Sequence, residues 1–360
     1  MKRALALGAV LTVLGLTQPA ADIGRIPVFA PTIISRAGHY VVTRDISATA
    51  GVVIEIRAND VTLDLNGHTL ALPAGPDPII LIDTTLATRG LTVRNGRLVG
   101  GSNGIDTPYP GHPFRVRLED LEIANCSLTA INLFEPESVE ITGCHVHDVG
   151  SAGMSVHEDS ALCVGRILNN TVERAGGFGM VILGLLSGEI SGNVVTDIGS
   201  ATVGVPGILV YGSGLPGTQS GAVLVAHNVV RTLPGGTDDD GIVILENSPG
   251  DLILDNVVTN CGGDGILVRG DQTRIEGNLV SGNGGHGIRI GTAGSGGSWN
   301  HLEGNQTQGN GGCGISFETS NAHVYRNNIV GGNGVVPGLC NGGGANTNAG
   351  GNWCDGVLCP

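Results

Sequence analysis

A short phrase recurs along this chain and limits its fold more than any other feature. Gly241-Ile242-Val243-Ile244 returns as Gly265-Ile266-Leu267-Val268, Gly287-Ile288-Arg289-Ile290 and Gly314-Ile315-Ser316-Phe317. Each copy is followed by a second phrase, an apolar residue with Asn three places on. These are Ile253-Leu254-Asp255-Asn256, Ile275-Glu276-Gly277-Asn278, Leu302-Glu303-Gly304-Asn305 and Val324-Tyr325-Arg326-Asn327. A two-phrase unit at this period marks a solenoid or an array of stacked units. The Asn column extends back through Asn228, Asn193 and Asn170 to Cys144, at spacings of 22 to 35 residues with the excess in loops.

Both phrases alternate apolar and other residues with period two, as half-buried strands do. Strands separated by Gly and Asn at this period predict an all-β parallel β-helix, a solenoid of about eleven coils and roughly 50 Å. Ile242, Ile266, Ile288 and Ile315 stack along its axis, and the Asn residues take the bends, where left-handed backbone is tolerated and amide bonds to amide one coil away. A leucine-rich repeat or a propeller blade fits this spacing poorly. The 62 Gly and 11 aromatic residues suit a narrow solenoid with tight corners. The first coil begins near Val52-Val53-Ile54-Glu55-Ile56, so residues 52–334 form the solenoid. Residues 22–51 form an N-terminal cap and residues 335–360 a Cys-containing C-terminal cap, since open solenoid ends need covering.

Gly38-His39-Tyr40-Val41-Val42, leading into Val61-Thr62-Leu63-Asp64-Leu65-Asn66-Gly67-His68, resembles the entry segment of the secreted right-handed parallel β-helix proteins of bacteria, the pectate-lyase-like and NosD-like group. The resemblance covers roughly residues 30–335 and implies a single-stranded, right-handed solenoid. It implies less about activity, because one solenoid hosts many chemistries.

Met1-Lys2-Arg3, an apolar run from Ala4 to Leu16 and the small residues Pro19-Ala20-Ala21 read as a secretory signal peptide over residues 1–21, and so as a secreted or periplasmic protein. No later stretch is long enough to span a membrane. Removing that segment leaves 16 basic against 32 acidic residues, a charge of −16, and no lysine. Such a surface disfavours nucleic acid and anionic membranes as partners, and polyanionic sugars too unless a cation bridges them. The chain is expected to act as a monomer. Eight Cys in an exported chain make disulfides plausible: Cys340, Cys354 and Cys359 cluster in the C-terminal cap, while Cys144 and Cys313 serve equally well as buried small hydrophobes.

The position before the Gly of the first phrase turns polar abruptly. After Phe178 and Pro206 it reads Asp240, Asp264, His286 and Cys313. Stacking places these about 5 Å apart, close enough for two carboxylates to divide acid and base roles. Asp238, Asp239 and Asp240 also offer oxygen ligands for Ca²⁺. No other cofactor is indicated. Tyr211, Arg269, Arg289 and Glu318 lie on outward positions of the same strands, with Glu246 beside them. Insertions at 211–221, 233–240 and 291–300, the last with Trp299, could wall a groove. Tyr211 and Trp299 could stack on sugar rings. The alternative is that the polar row only hydrogen-bonds the corner. His145, His147 and His157 read as scattered surface residues.

Thr237-Asp238-Asp239-Asp240-Gly241 loosely resembles the acidic strand motifs of polygalacturonase-like hydrolases, yet the Arg-x-Lys motif of those enzymes is missing. A lysine-base lyase is excluded, whereas an arginine base at Arg269 or Arg289 is not. Two functions therefore stand: an exported protein that binds polysaccharide or cell-surface glycan and cleaves it as a lyase or hydrolase, and a non-catalytic surface or adhesion scaffold. In the first, Asp240, Asp264, His286, Arg269 and Arg289 form the catalytic row, and Tyr211, Trp299, Glu246 and Glu318 hold the sugar.

Overall fold

The computed structural model describes residues 24–84, 90–109, 114–157, 163–199, 204–212, 222–233, 239–245, 249–292, 297–318, 321–335, 338–341 and 345–359. The expected signal peptide, Asp238 and Glu246 lie outside them. Every regular element among the described residues is a strand, and no helix there is long and apolar enough to cross a membrane.

Each regular coil contributes three strands. The first, which carries the Gly-Ile phrase, belongs to a 13-stranded parallel ladder running from Thr32–Ile34 to Leu339–Asn341. The second and third strands belong to a 26-stranded sheet. These two ladders merge because early coils bend without a break: Leu91–Gly100 and Phe114–Ala124 each run through the corner as one strand. Eleven of the first-ladder strands, Ile54–Ile56 to Ile315–Phe317, fall within 52–334, matching the expected coil number. Parallel pairing also continues outward, Thr32–Ile34 onto Ile54–Ile56 and Leu339–Asn341 onto Ile315–Phe317.

The registers put like on like. Ile242, Ile266, Ile288 and Ile315 are cross-strand neighbours and fully buried. At about 1.5–3 kcal/mol for each apolar side chain buried, repetition of this column is the main source of stability. The glycine before each Ile is a packing requirement. A methyl on Gly265 would fall on Val280 Cγ1 and within 2.7 Å of the Gly287 carbonyl oxygen.

Between the second and third ladders the Asn column is buried and continuous. Asn256 donates its backbone N–H and Nδ2 to Asn278 Oδ1 (both 3.0 Å) and Nδ2 to the Val225 carbonyl (2.9 Å), while its own Oδ1 accepts from Asn228. Two details differ from the sequence reading. The last phrase begins at the inward Tyr325, so Asn328, not Asn327, joins the column. The left-handed residue is the one before each ladder Asn, as at Asp255 (φ 52°), His227 (φ 55°) and Asn327 (φ 56°). The ladder Asn supplies hydrogen bonds and its neighbour supplies the bend. A second column, Asn283, Asn310 and Asn333, does the same at the next corner, ending on the Cys261 N–H. Its signal was an Asn-Gly pair five residues after Asn278, Asn305 and Asn328.

Two disulfides close the C-terminal end. Cys313–Cys340 ties together the last two rungs of the first ladder, and Cys354–Cys359 closes an antiparallel hairpin of Trp353–Cys354 and Val357–Leu358. Cys313 is therefore a staple as well as a buried residue. Cys126, Cys144 and Cys261 are buried thiols, pushed by burial up to about 12, 12 and 11.

Candidate functional site

The polar row forms as the stacking predicts, and each member is tied into the corner. Asp240 Oδ1 accepts the Asp264 N–H (2.6 Å), Asp264 Oδ1 accepts the His286 N–H (2.6 Å), and His286 Nδ1 accepts the Cys313 N–H (2.9 Å). Here the acceptor sits in the earlier coil and the donor in the later one, opposite to the Asn columns. An accepting Nδ1 leaves the neutral ring's proton on Nε2, which faces Glu318 Oε1 at 3.8 Å. Asp240 and Asp264 are 8% and 5% exposed.

Beside the row, the outer face of the first ladder holds an open cleft of about 280 Å³. Leu209, Val243, Leu267 and Arg289 follow one another in a single outward column of its lining, and Asp240, Asp264 and Arg269 line it as well. Val243 and Leu267 point outward by register yet are only 4% and 5% exposed, so this stretch of the face is walled. Arg289 Nη1 donates to Asp264 Oδ2 (3.3 Å), and its Nε lies 3.8 Å from Glu318 Oε1. The Nε atoms of Arg269 and Arg289 are buried without a hydrogen-bond partner among the described residues. Two guanidiniums lining one cleft suit a planar anion such as a carboxylate.

Glu318 is anchored by the Ser316 hydroxyl (2.9 Å) at the far side of Arg289. Tyr211 and Trp299 are not among the residues that line the cleft; Trp299 stands 70% exposed at the opposite corner, with φ 58°. Asp239 is buried, and its Oδ1 accepts the Gly204 N–H (2.5 Å) and Val205 N–H (3.2 Å). No group of three or more His, Cys, Asp or Glu able to hold a metal ion occurs among the described residues.

Of the three other histidines singled out, two lie together and the third lies apart. His145 and His147 have ring centroids 4.7 Å apart on the third-ladder face, within a network of Glu122, Asp148, Glu173 and Arg174. Arg174 and His147 hold the Asp148 carboxyl below the usual range. His157 packs at a tilt against Phe134 on the first-ladder face.

Residues 209–337 match the family model described as periplasmic copper-binding protein (NosD), and residues 84–217 the one described as right handed beta helix region. No curated protein matches the chain. Among solved structures, the chain is similar to the A-module of the Azotobacter vinelandii mannuronan C-5 epimerase AlgE6, with 17% identity over 91% of this chain and 92% of that one and a TM-score of 0.59. It is also similar to a double mutant of the periplasmic alginate epimerase AlgG (12% identity, 94% and 84% covered, TM-score 0.52) and to the A-module of the Azotobacter vinelandii epimerase AlgE4 (16% identity, 89% of each, TM-score 0.51). At these identities the likeness is one of fold, and it agrees with the ladders: the chain is a right-handed parallel β-helix repeat protein.

Proposed function

We propose that the protein is exported and binds a uronate-bearing polysaccharide along the first-ladder face, with the sugar carboxylate taken by Arg269 and Arg289. The observation that carries this is the placing of two guanidiniums in one cleft whose lining is otherwise largely apolar. A pyranose carries apolar C–H faces and a polar rim, and a uronate adds the planar anion that a guanidinium fork fits. The fold likeness to mannuronan and alginate epimerases supports the same reading.

Two guanidiniums on a carboxylate favour reactions that begin by removing the proton on the adjacent carbon, because the charge that develops is stabilised there. Elimination and epimerisation both begin so. Hydrolysis by a paired acid and base needs two carboxyls facing the bond. Asp240 and Asp264 instead each accept a backbone N–H at Oδ1, and Asp264 Oδ2 accepts from Arg289 Nη1. On this reading the row's task is to hold Arg289, with His286 and Glu318 behind it.

The test presents the mature protein with polymannuronate, polygalacturonate and a neutral glucan, with Ca²⁺ and then with chelator. Expected is salt-sensitive binding of a polyuronate and not of the glucan, weakened about ten-fold or more by Arg269→Ala or Arg289→Ala, the loss of a charge-assisted hydrogen bond. Ultraviolet absorbance from unsaturated uronates would add lyase activity, and new reducing ends without it would restore hydrolysis. A folded protein that binds neither polyuronate would sink the reading and leave the surface scaffold.

A further inference from the structure

Five coils before Arg269, the same face carries a group of rings that the polar row does not explain. The registers Ile105↔Ile131↔Met154 set Asp106, Asn132 and Ser155 in one outward column, and Phe134 and His157 in the next. Tyr109 lies against Phe134 with ring centroids 5.5 Å apart, and Phe134 against His157 at 5.6 Å. In a chain with only 11 aromatic residues this concentration is local, and Tyr109 is 60% exposed. Asn132 Nδ2 donates to Asp106 Oδ1 (2.8 Å) beside the rings, and burial raises the Asp106 carboxyl above its usual range.

We propose that Tyr109, Phe134 and His157, with Asp106 and Asn132 at their side, form a second sugar subsite for the same polysaccharide whose carboxylate the cleft takes. This rests on the glycan reading of the cleft. Ring faces stack on the C–H face of a pyranose, and an adjacent carboxyl and amide meet its hydroxyl rim; that pairing of an apolar plate with a polar edge is what a sugar ring requires. The occupant follows from continuity. Phe134, His157, Leu183 and Tyr211 are successive register partners, and the column runs on through Leu245 to Arg269 in the cleft. Tyr211 thus lies on the path between the two subsites. The path is roughly 24 Å at about 4.8 Å per coil, so about five sugar units in an extended chain would span it.

Two linked subsites raise the affinity of a ligand long enough to fill both and leave that of a short one unchanged. The test measures binding of oligomannuronates and oligogalacturonates of about three and about ten units, lengths below and above that span. The wild-type protein is expected to bind the longer chain about ten-fold or more tightly than the shorter. Phe134→Ala should abolish that gain without changing short-chain affinity, with Tyr109→Ala, an exposed position, acting in the same direction. Thermal melting confirms that each variant is folded. Long-chain affinity unchanged in both folded variants overturns the second subsite and leaves the cleft standing. If the wild-type protein binds no oligouronate of either length, the cleft reading fails and this one with it.

Discussion

Among single residues, His323 carries the clearest pH signature. Its ring is buried, stacks on Phe317 with centroids 5.3 Å apart, and accepts the Asn300 N–H through Nδ1 at 3.3 Å. Desolvation pushes its pKa from 6.5 down to about 4, against a small opposing pull from Asp271. Above pH 6.5 the ring is neutral in both folded and unfolded chains and adds no pH dependence. As pH falls from 6.5 towards 4, the unfolded chain takes up a proton that the folded one refuses, so stability is lost over that window, by roughly 3 kcal/mol in all. His323→Gln keeps a neutral acceptor and should flatten that part of the curve in urea unfolding between pH 7 and about pH 4. Parallel curves for wild type and variant would show that the ring does not titrate as its burial requires.

At the scale of an element, the Asn column is a fully satisfied buried polar ladder, which is the arrangement that makes a single deletion costly. Asn256→Ala would strand the Val225 carbonyl and the Asn228 donors in a buried corner. The expected loss is about 3 kcal/mol or more, read as a shift in urea midpoint. A loss below about 1 kcal/mol would mean that water enters the corner and replaces the amide. This element was also where the sequence was most readable. The Ile and Asn columns share one short period, so their registers follow directly from spacing. The same method slipped by one at Asn327, because Val324 and Tyr325 are both apolar enough to begin the phrase and only alternation against neighbouring rungs separates them. The second Asn column has a weaker signature, an Asn-Gly pair that repeats over only three coils among many other Asn-Gly corners. The ring group at Tyr109, Phe134 and His157 was not legible for another reason. The phrase there reads Ala130-Ile131 and Gly153-Met154, so the alignment faded before reaching it. The polar row was found, but spacing gives no account of which way a carboxylate turns. The hydrogen bonds from Asp264 and His286 amides determine that.

For the whole molecule, covalent reinforcement is confined to one end. Cys313–Cys340 and Cys354–Cys359 hold the final rungs and the closing hairpin, whereas Cys126, Cys144 and Cys261 are buried thiols of the body, raised in pKa by desolvation and so poor nucleophiles. Reduction under native conditions should therefore raise hydrogen exchange at 339–359 and leave the amides of coils between Asn256 and Ile290 protected. Uniform deprotection of those coils would mean that the staples hold the entire stack. The same experiment with a thiol reagent should label the reduced C-terminal cysteines before the four buried body cysteines, Cys126, Cys144, Cys163 and Cys261.

The hairpin and its two bonds also give the molecule a mechanical polarity. A stack of parallel rungs opens by peeling from an end, and among the described residues the first rungs at the N-terminal end, Ile26–Val28 and Thr32–Ile34, carry no disulfide. Under tension such a chain would unreel from that end, one coil at a time. A regular 22-residue coil, such as that from Asn256 to Asn278, releases roughly 70–80 Å of slack. Anchored to a polymer by its outer face, it would act as a short extensible tether whose far end stays locked.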